Sequence, residues 1–420
     1  MSVHEAVIRL AREESGHVLA LLAHRFGDLD LADEAVQDAL LSASQWSTIP
    51  DNPPAWLYTV ARNNAVDRIR RADAERRRIH SAAPELLAEA GSQQGGYEET
   101  PMIVEHSDVG DEQLRLLLLC CHPALERDTQ VALTLRLVGG LTTAEIAAAF
   151  FVPEATLAQR IVRAKRKIRD AAIPLSIPAR LDDRVDALLT VLYLVFNEGY
   201  LSRGDTPGIR VDLVEEAIRL TRRAAEVLPD SAEVDGLLAL ELFTHARTAA
   251  RLVEGELVLL DDQERGAWDG ELIGEANAIL FAALRRMHPG PFQLQAIIAA
   301  HHANALTAAA TDWNAIVAAY RQLAAIAPSP VVTLNHSVAV SMAEGPRAGL
   351  RMLDTVAGLD DYYLYWAARG EMLARAGETS AAVVALRGAR LRVQNAVEQR
   401  HLDRRIEALS GMTGGCAFRQ

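Results

Sequence analysis

The sequence LVGGLTTAEIAAAFFVPEATLAQRIVRAKRKIRDA at residues 137–171 contains two helical patterns on either side of a proline. Thr142 and Glu145 have the spacing of a capping box, which predicts that the first helix begins there. Pro153 ends that helix and sets the backbone angle for the first turn of the next one. Apolar residues then recur at helical spacing and form one stripe: Leu157, Ile161, Ala164 and Ile168. Two helices joined by a short turn predict a helix-turn-helix.

The other face of the second helix is polar and basic. It carries Thr156, Gln159, Arg160, Arg163, Arg166 and Lys167. In a helix-turn-helix the first outward residues of the second helix reach base edges, while later basic residues contact phosphate. This pattern favours DNA binding. The alternative is a plain helical hairpin whose basic face is solvated.

The charge of the whole chain is misleading about nucleic acid. The 420 residues carry a net charge of -13, yet residues 54–80 hold seven arginines against three acidic residues. Residues 154–170 are also basic, whereas residues 81–111 hold seven acidic residues and no lysine or arginine. Local basic segments on an acidic chain fit a DNA-binding protein. The acidic stretch predicts a flexible linker.

A second arginine-rich helix is predicted at residues 53–71, PPAWLYTVARNNAVDRIRR. Asn63 and Asp67 are four residues apart and are expected to contact each other on its polar face. Trp56 and Tyr58 lie beside arginines, a combination that suits unstacked bases, but we expect them to be core residues. The apolar stripe consists of Leu57, Ala61, Ala65 and Ile69.

The remainder of the chain is periodic in the manner of helices, so we predict an all-α fold. Asp312, Gly345 and Gly377 are separated by 33 and 32 residues, which favours helix hairpins of the tetratricopeptide type. The alternative is an irregular helical bundle. The predicted parts are a first helical domain at 1–80, the linker at 81–111, a second helical domain at 112–172, a helical extension at 181–290 and helical repeats at 291–411.

Several classes of protein are excluded by what the sequence lacks. It has no long uncharged apolar run and no secretory signal, so we expect a cytoplasmic protein without membrane contact. Its three cysteines suit a reducing compartment, and Cys120 and Cys121 are expected to be buried. Histidines lack metal-ligand spacing, and no phosphate loop or catalytic motif occurs. We expect no metal, no cofactor and no enzymatic activity.

Two segments together carry a family resemblance. LDLADEAVQDALLSASQW (29–46) and AWLYTVARNNAVDRIRR (55–71) resemble the second conserved region of bacterial extracytoplasmic-function sigma factors, which belong to the sigma-70 family. VPEATLAQRIVRAKRKIR (152–169) resembles their fourth region. LLTVLYLVFNEGY (188–200), with the helical tail after it, is similar to the subgroup with a long tetratricopeptide-like C-terminal extension. Within it, we expect Gly199 to end a helix.

The resemblance implies three sets of site residues. The set that would dock on the largest polymerase subunit is Asp33, Glu34, Val36, Gln37 and Asp38. The set that would read and open the -10 element is Asn63, Asn64, Asp67, Arg68, Arg70 and Arg71. The set that would enter the -35 major groove or hold its backbone is Glu154, Thr156, Gln159, Arg160, Arg163, Lys165, Arg166 and Lys167.

The implied function is transcription initiation, with core RNA polymerase and promoter DNA as partners. The extension is expected to control this activity through a regulatory protein or an intramolecular contact. Ala155 and Ala158 stand where many members have Gly and Lys, so the base preference stays open. Two alternatives remain: a one-component helix-turn-helix regulator with a helical-repeat effector domain, and an interaction scaffold.

Overall fold

The computed structural model describes residues 3–82, 112, 115–150, 152–171, 173, 182–200, 211–253, 256–393 and 396–415. In these residues the regular structure is helical apart from one short two-stranded ribbon, which confirms the all-α prediction. The chain divides into two compact units, Met1–Val191 and Leu192–Gln420. The predicted linker from residue 83 onward, the proline-containing segment from residue 174 and Cys416 lie outside the described residues.

The first unit begins with three helices that pack on one another: α1 (Val3–Phe26), α2 (Leu29–Ala43) and α3 (Pro53–Ala82). The side chain of Asp28 caps α2 by accepting a hydrogen bond from the backbone nitrogen of Leu31 at 3.0 Å. The helix then buries a row of small residues, which lets its neighbours approach closely. They are Ala32, Ala35, Ala39 and Ala43.

A second helical group follows in the same unit. Residues 115–120 are helical and include Cys120; Cys121 follows them, and both thiols are buried, as predicted. Burial raises the pKa of the Cys121 thiol to about 12, so it stays protonated. The further helices are α4 (Arg127–Leu133), which continues as a π-helical turn (Thr134–Val138), α5 (Thr143–Ala149) and α6 (Glu154–Asp170). α4 and α5 both pack against α6.

Backbone joins the two groups of the first unit. A Cβ added to Gly16 on α1 would clash with the carbonyl oxygen of Val138. At Gly140, which has a φ of +70°, an added Cβ would likewise clash with the carbonyl oxygen of Ala11. Only glycine allows such an approach at both positions. α1 therefore lies directly against the turn that precedes the helix-turn-helix.

The division between the two units falls inside α7 (Asp182–Tyr200), and the second unit then continues with helices in succession. Its ribbon pairs β1 (Leu252–Val253) with β2 (Glu256–Leu257) in antiparallel fashion. Single 3₁₀ turns occur at Leu260–Asp262, Arg265–Ala267 and Ala308–Ala310. The helices are α8 (Val211–Val227), α9 (Ala232–His245), α10 (Thr248–Arg251), α11 (Gly270–Leu284), α12 (Pro291–Ala303), α13 (Trp313–Ile326), α14 (Pro330–Ala343), α15 (Pro346–Leu353), α16 (Tyr363–Arg375), α17 (Thr379–Arg392) and α18 (Ala396–Gly415).

The regular spacing seen in the sequence marks alternate helix starts in this unit. Asp312 caps α13, Gly345 precedes α15 and Gly377 lies just before α17. From α12 to α18 each helix packs on the next, and α14 also contacts α16. Such nearest-neighbour packing fits stacked helix pairs.

The FNEGY segment at the end of α7 differs from its expected role. Gly199 lies within the last turn of the helix, where an added Cβ would come 2.8 Å from the backbone nitrogen of Val214 on α8. Phe196 and Tyr200 are buried and stack with their ring centroids 6.0 Å apart. The glycine therefore allows a close helix contact, and the two aromatic residues pack in the core of this unit.

Candidate nucleic-acid and polymerase interface

The helix-turn-helix is held by the interactions predicted for it. Thr142 Oγ1 accepts from the backbone nitrogen of Glu145 at 3.1 Å, and the Glu145 carboxylate accepts from the backbone nitrogen of Thr142 at 2.7 Å. Burial alone would raise the pKa of Glu145, but the hydrogen bonds from Thr142 and the nearby Arg12 outweigh it and lower that pKa. All four residues of the apolar stripe of α6 are buried. The orientation of the outer face of α6 is thereby fixed.

Most of the predicted -35 residues lie on this outer face. Arg160 is half-buried and lies 3.5 Å from the carboxylate of Asp128. Arg163 donates to Gln159 Oε1 at 3.1 Å, and Arg166 pairs with Asp170 on the same helix at 3.2 Å. The exposed members are Glu154, Thr156, Gln159, Arg163, Arg166 and Lys167. This face can meet a DNA groove without rearrangement of its own helix.

The predicted -10 residues on α3 divide between two directions. Exposed side chains are those of Asn63, Asp67, Arg70 and Arg71. Asn64 and Arg68 face α2 instead, and Arg68 pairs with both Glu34 and Asp38, at 2.7 Å from the latter. A groove of about 490 Å³ runs beside them along α3.

Two local expectations for α3 need correction. Asn63 accepts a hydrogen bond from Arg62 at 3.3 Å rather than pairing with Asp67. Trp56 and Tyr58 are half-buried rather than core residues. Trp56 meets Trp46 edge to face at a centroid distance of 4.8 Å, so the two rings form a partly exposed aromatic corner. The stripe behind them is buried at Leu57, Ala61 and Ala65, while Ile69 is half-buried.

The predicted polymerase-docking residues are the least accessible of the three sets. Asp33 is 4% exposed and Val36 is 3% exposed. Gln37 and Asp38 are half-buried, so Glu34 is the one fully exposed member of this set. The docking face of α2 is therefore largely covered within this unit.

Asp33 is covered by the helix-turn-helix. Its carboxylate accepts from Lys165 Nζ at 2.5 Å and from Gln37 Nε2 at 2.7 Å, and it lies 3.8 Å from Arg136. The side chain of Lys165 is only 12% exposed, so it does not lie on the outer face of α6. The three predicted sets are thus joined: Asp33 with Lys165, and Asp38 with Arg68.

Residues that sequence reasoning missed extend this contact. Asp30 pairs with Lys165 at 3.4 Å and with Arg169 at 2.7 Å. Arg136, on the π-helical turn, adds a third cation. Each of these cations is more than a hundred residues from its partner Asp30 or Asp33 along the chain, and no local pattern marks the contact.

Comparison with known families gives three matches along the chain. Sigma-70 region 2 matches residues 10–75, and Sigma-70 region 4 matches residues 115–168. A family of unknown function, DUF6596, matches residues 184–284. The first two matches cover α1–α3 and the helix-turn-helix, and they define a sigma-70-type protein. No solved structure matches the chain.

Two curated proteins are similar to the chain, and one of them is a sigma factor. An uncharacterized protein of Rhizobium meliloti (strain 1021) is 40% identical over 401 residues, which is 93% of each chain. The ECF RNA polymerase sigma factor SigK of Mycobacterium ulcerans (strain Agy99) is 28% identical over 159 residues, covering 36% of this chain and 78% of that protein. The chain belongs to the extracytoplasmic-function type of the sigma-70 family and carries a long C-terminal extension. Among the described residues no helix is long and apolar enough to cross a membrane.

Proposed function

We propose that the chain binds core RNA polymerase through α2, reads the -35 element with α6 and captures the -10 element with α3. The observation that carries this proposal is the pair of sigma-70 matches in the order required, each with an exposed polar and basic helix face. The family performs initiation without catalysis, and we propose the same for this cytoplasmic protein.

The physics of the two basic helices suits different forms of DNA. α6 presents a narrow face with Gln159 and Arg163 ahead of Arg166 and Lys167, as a duplex groove requires. α3 presents Asn63, Arg70 and Arg71 on its exposed side and has a half-exposed aromatic corner at its N-terminal end, so a single strand laid along the helix finds both a stacking surface and donors. Binding free energy from captured bases offsets the cost of opening the duplex, a few kcal/mol for each base.

Promoter-dependent transcription tests this proposal. Purified chain is added to core polymerase and a library of random upstream sequences, and the RNA 5′ ends are sequenced. We expect a shared pair of motifs upstream of the starts, absent with core polymerase alone. The double variant Arg160→Ala, Arg163→Ala should lose the -35 motif while still binding polymerase. Arg351→Ala, an exposed arginine of the extension, is the matched control.

Two results contradict the proposal. Failure of the chain to associate with core polymerase excludes a sigma factor. Sequence-specific duplex binding without polymerase, and without any effect on start sites, favours the one-component regulator. The -10 set is checked in the same assay by Arg70→Ala with Arg71→Ala, which should lose open-complex formation and retain polymerase binding.

The free chain, in this proposal, keeps its docking helix occupied until polymerase displaces the helix-turn-helix. Asp33 cannot contact a partner while Lys165 and Arg136 cover it. The ion pairs on α2 are replaceable by equivalent ion pairs on polymerase, so the exchange costs little net charge desolvation. Docking and release of the -35 helix are therefore coupled.

The two lysines of the chain report this exchange directly. Lys165 is nearly buried against α2, whereas Lys167 is exposed on the same helix. Acylation with an amine-selective reagent, read by mass spectrometry, should label Lys167 at least tenfold faster than Lys165 in the free chain. Core polymerase without DNA should raise the Lys165 rate. Equal rates in the free chain contradict the covered arrangement.

The extension, we propose, controls sigma activity through a protein partner or an intramolecular contact. Its stacked helices offer a long surface of the kind that binds peptides and proteins. Removal of residues 181–420 should change promoter-dependent transcription at equal polymerase occupancy. Unchanged transcription from a shortened chain that retains its helical circular dichroism contradicts this role.

A further inference from the structure

The second unit contains a cavity of about 250 Å³ with a distinct chemical lining. Its walls are apolar and aromatic: Phe243 on α9, Ile298 on α12, Tyr320 on α13 and Trp268 in the segment between β2 and α11. The polar groups at its edge include Arg247 and His302, and no carboxylate lines it among the described residues. The volume corresponds to about eight water molecules, a size that admits a small organic molecule.

Two arginines, Arg247 in the cavity lining and Arg265 next to Trp268, lack acidic partners among the described residues. All three guanidinium nitrogens of Arg265 are buried and have no hydrogen-bond partner among the described residues. The guanidinium lies over the Trp268 ring, 4.0 Å from its centroid. Asp261 is near enough to act on Arg265 electrostatically but does not form an ion pair with it. Arg247 likewise makes no ion pair with a described residue and lies 5.7 Å from the centroid of Tyr200.

Hydrogen-bond donors and a neutral imidazole complete the site. Trp268 is 7% exposed, and its Nε1 has no partner within the described chain. Nδ1 of His302 is also buried without a partner there. Burial, and then the charges of Arg247 and Arg265, lower the pKa of His302 to about 4. The imidazole is therefore neutral at pH 7, in a region of positive potential.

These groups have one requirement in common. Buried cations and donors need an acceptor of negative charge, because an unpartnered buried charge is costly. The aromatic walls need a flat apolar body. We propose that this cavity binds a small aromatic carboxylate, with the carboxylate held by Arg247 in the lining and favoured further by the charge of Arg265, which stacks on the Trp268 ring. The inference concerns the extension alone and is independent of promoter recognition by the first unit.

Occupation of the cavity would join separate parts of the second unit. Arg265 and Trp268 belong to the non-repeat segment after β2, Arg247 follows α9, and His302 lies on α12. Glu256 on β2 in turn pairs with Arg404 on α18 at 2.7 Å. A ligand that holds the segment against α9 and α12 should slow hydrogen exchange at residues 256–268.

Benzoate and its neutral analogue benzamide are the probes for the full-length chain. We expect benzoate to bind with one site per chain in titration calorimetry and to raise the thermal midpoint. Benzamide should bind at least tenfold more weakly, since it has the same ring but no charge. Inorganic phosphate is the third probe. Phosphate binding as tight as benzoate, equal binding of benzamide, or no benzoate binding up to 10 mM each overturns the assignment.

Variants separate binding from folding. Arg247→Gln should weaken benzoate binding at least tenfold, Arg265→Gln should weaken it less because Arg265 acts through its charge, and Arg351→Gln should leave it unchanged. A site built for an anion also predicts that Arg265→Gln, free of ligand, melts no lower than the unaltered chain, because an unpartnered buried charge has been removed. A lower midpoint for that variant, or benzoate affinity that survives both substitutions, contradicts the site.

Histidine titration gives a readout on the unaltered chain. A carboxylate beside Arg247 and Arg265 would offset the charges that now disfavour the imidazolium. Benzoate should therefore raise the pKa of His302 from about 4. Carbon-13 NMR of labelled histidine measures this change. Benzamide should not change that pKa. An unchanged pKa at saturating benzoate shows that the carboxylate does not lie at this site.

Discussion

Two buried charge clusters, one in each unit, differ in how their charges are balanced. Asp33 in the first unit is an almost fully buried anion, and Lys165, Arg136 and Gln37 surround it. In the second unit Arg247 lines a cavity and Arg265 stacks on Trp268 in its wall, and no carboxylate of the described residues lines that cavity. The same cost applies to both clusters, because a charge that is removed from water is destabilising unless a group of opposite charge or a hydrogen-bond partner lies beside it. Among the residues that the structure describes, the first cluster has partners of opposite charge and the second has none.

The difference indicates different uses of charge. An internal ion pair between α2 and α6 holds two functional helices together and must be exchanged when either meets an external partner. A cluster of unpaired cations can bind an anion without first breaking an ion pair. The desolvation of these cations destabilises the ligand-free protein. Substitutions that alter one cluster at a time therefore separate the two uses of charge.

Loss of His302 should have the largest effect, and only in acid. The pKa of His302 is about 4 in the folded protein against an ordinary 6.5, so unfolding exposes a histidine that binds a proton more readily. Its neutral state supports folding fully above pH 6.5, and this support is lost as the pH falls from 6.5 to 4. A shift of this size corresponds to a contribution on the order of 3 kcal/mol.

Denaturant unfolding of the second unit from pH 7 to pH 4 measures this contribution. The unaltered chain should lose more stability over that range than His302→Gln does. His288→Gln, an exposed histidine on the same unit, is the matched control and should follow the unaltered chain. Parallel pH profiles for all three proteins contradict the assigned environment of His302.

Neutralising Asp33 should have the next largest effect, on the contact between α2 and α6. Asp33→Asn removes the anion between the mostly buried Lys165 and Arg136 and leaves Lys165 with Asp30 alone at 3.4 Å, at a cost of about 2 to 3 kcal/mol. Hydrogen exchange of peptides from α2 and α6 gives the opening free energy. Asp51→Asn, at an exposed site in the loop after α2, should change it by less than about 0.5 kcal/mol. Equal effects of the two variants contradict the buried ion pair.

Local features of both units follow from the sequence because their causes are local. The capping box at Thr142 and the stripe from Leu157 to Ile168 are fixed by neighbours within a few residues. The positions of Asp312, Gly345 and Gly377 likewise mark helix starts, since caps and left-handed turns need particular residues. The family itself was evident from two such local segments in the right order.

Neither charge cluster could be predicted from the sequence, and the reason is the same for both. Asp33 and Lys165 are 132 residues apart, and nothing in either helix specifies the other. The predicted role of Lys165 on the DNA backbone rested on its place in a basic run, whereas its position on the helix turns it toward α2. Arg265 and Trp268 lie in a segment without helical periodicity. The cavity arises only when α9, α12 and α13 come together, which is a tertiary event.

A steric change should open the first cluster without altering any charge. Gly16→Ala places a methyl group against the carbonyl oxygen of Val138, so α1 and the π-helical turn must separate slightly. We expect a loss of about 1 to 2 kcal/mol in the contact, since overpacking costs about that much. The helix itself gains from alanine, so α1 stays folded. Lys165 acylation should therefore rise severalfold while the rate at Lys167 is unchanged.

Gly274→Ala is the control for this steric change. Gly274 lies on α11, where an added Cβ meets nothing within 4 Å, and the substitution should leave both lysine rates unchanged.

Polymerase binding provides the functional measurement. Gly16→Ala should bind core polymerase more tightly than the unaltered chain does, because Asp33 is freed more easily. Weaker binding by a folded variant contradicts the coupling between docking and release of α6.

Breaking the exposed ion pair of Arg68 should have the smallest effect on stability and still separate the two clusters. Glu34→Gln removes one of two carboxylates at Arg68, and Asp38 remains at 2.7 Å. Glu34 is exposed, so the loss of stability is below about 1 kcal/mol.

The effect of Glu34→Gln on polymerase binding is expected to be larger than its effect on folding. Glu34 is the one member of the predicted docking set that is fully exposed in the free chain. We expect the variant to associate with core polymerase at least fivefold more weakly at low salt. At 0.5 M salt the difference should be smaller, because screening removes the interaction of the exposed charge. Benzoate binding by the second unit should be the same in this variant, since the substitution lies in the first unit. A loss of stability as large as that of Asp33→Asn, with polymerase affinity unchanged, would reverse the roles assigned here to the buried and the exposed carboxylates of α2.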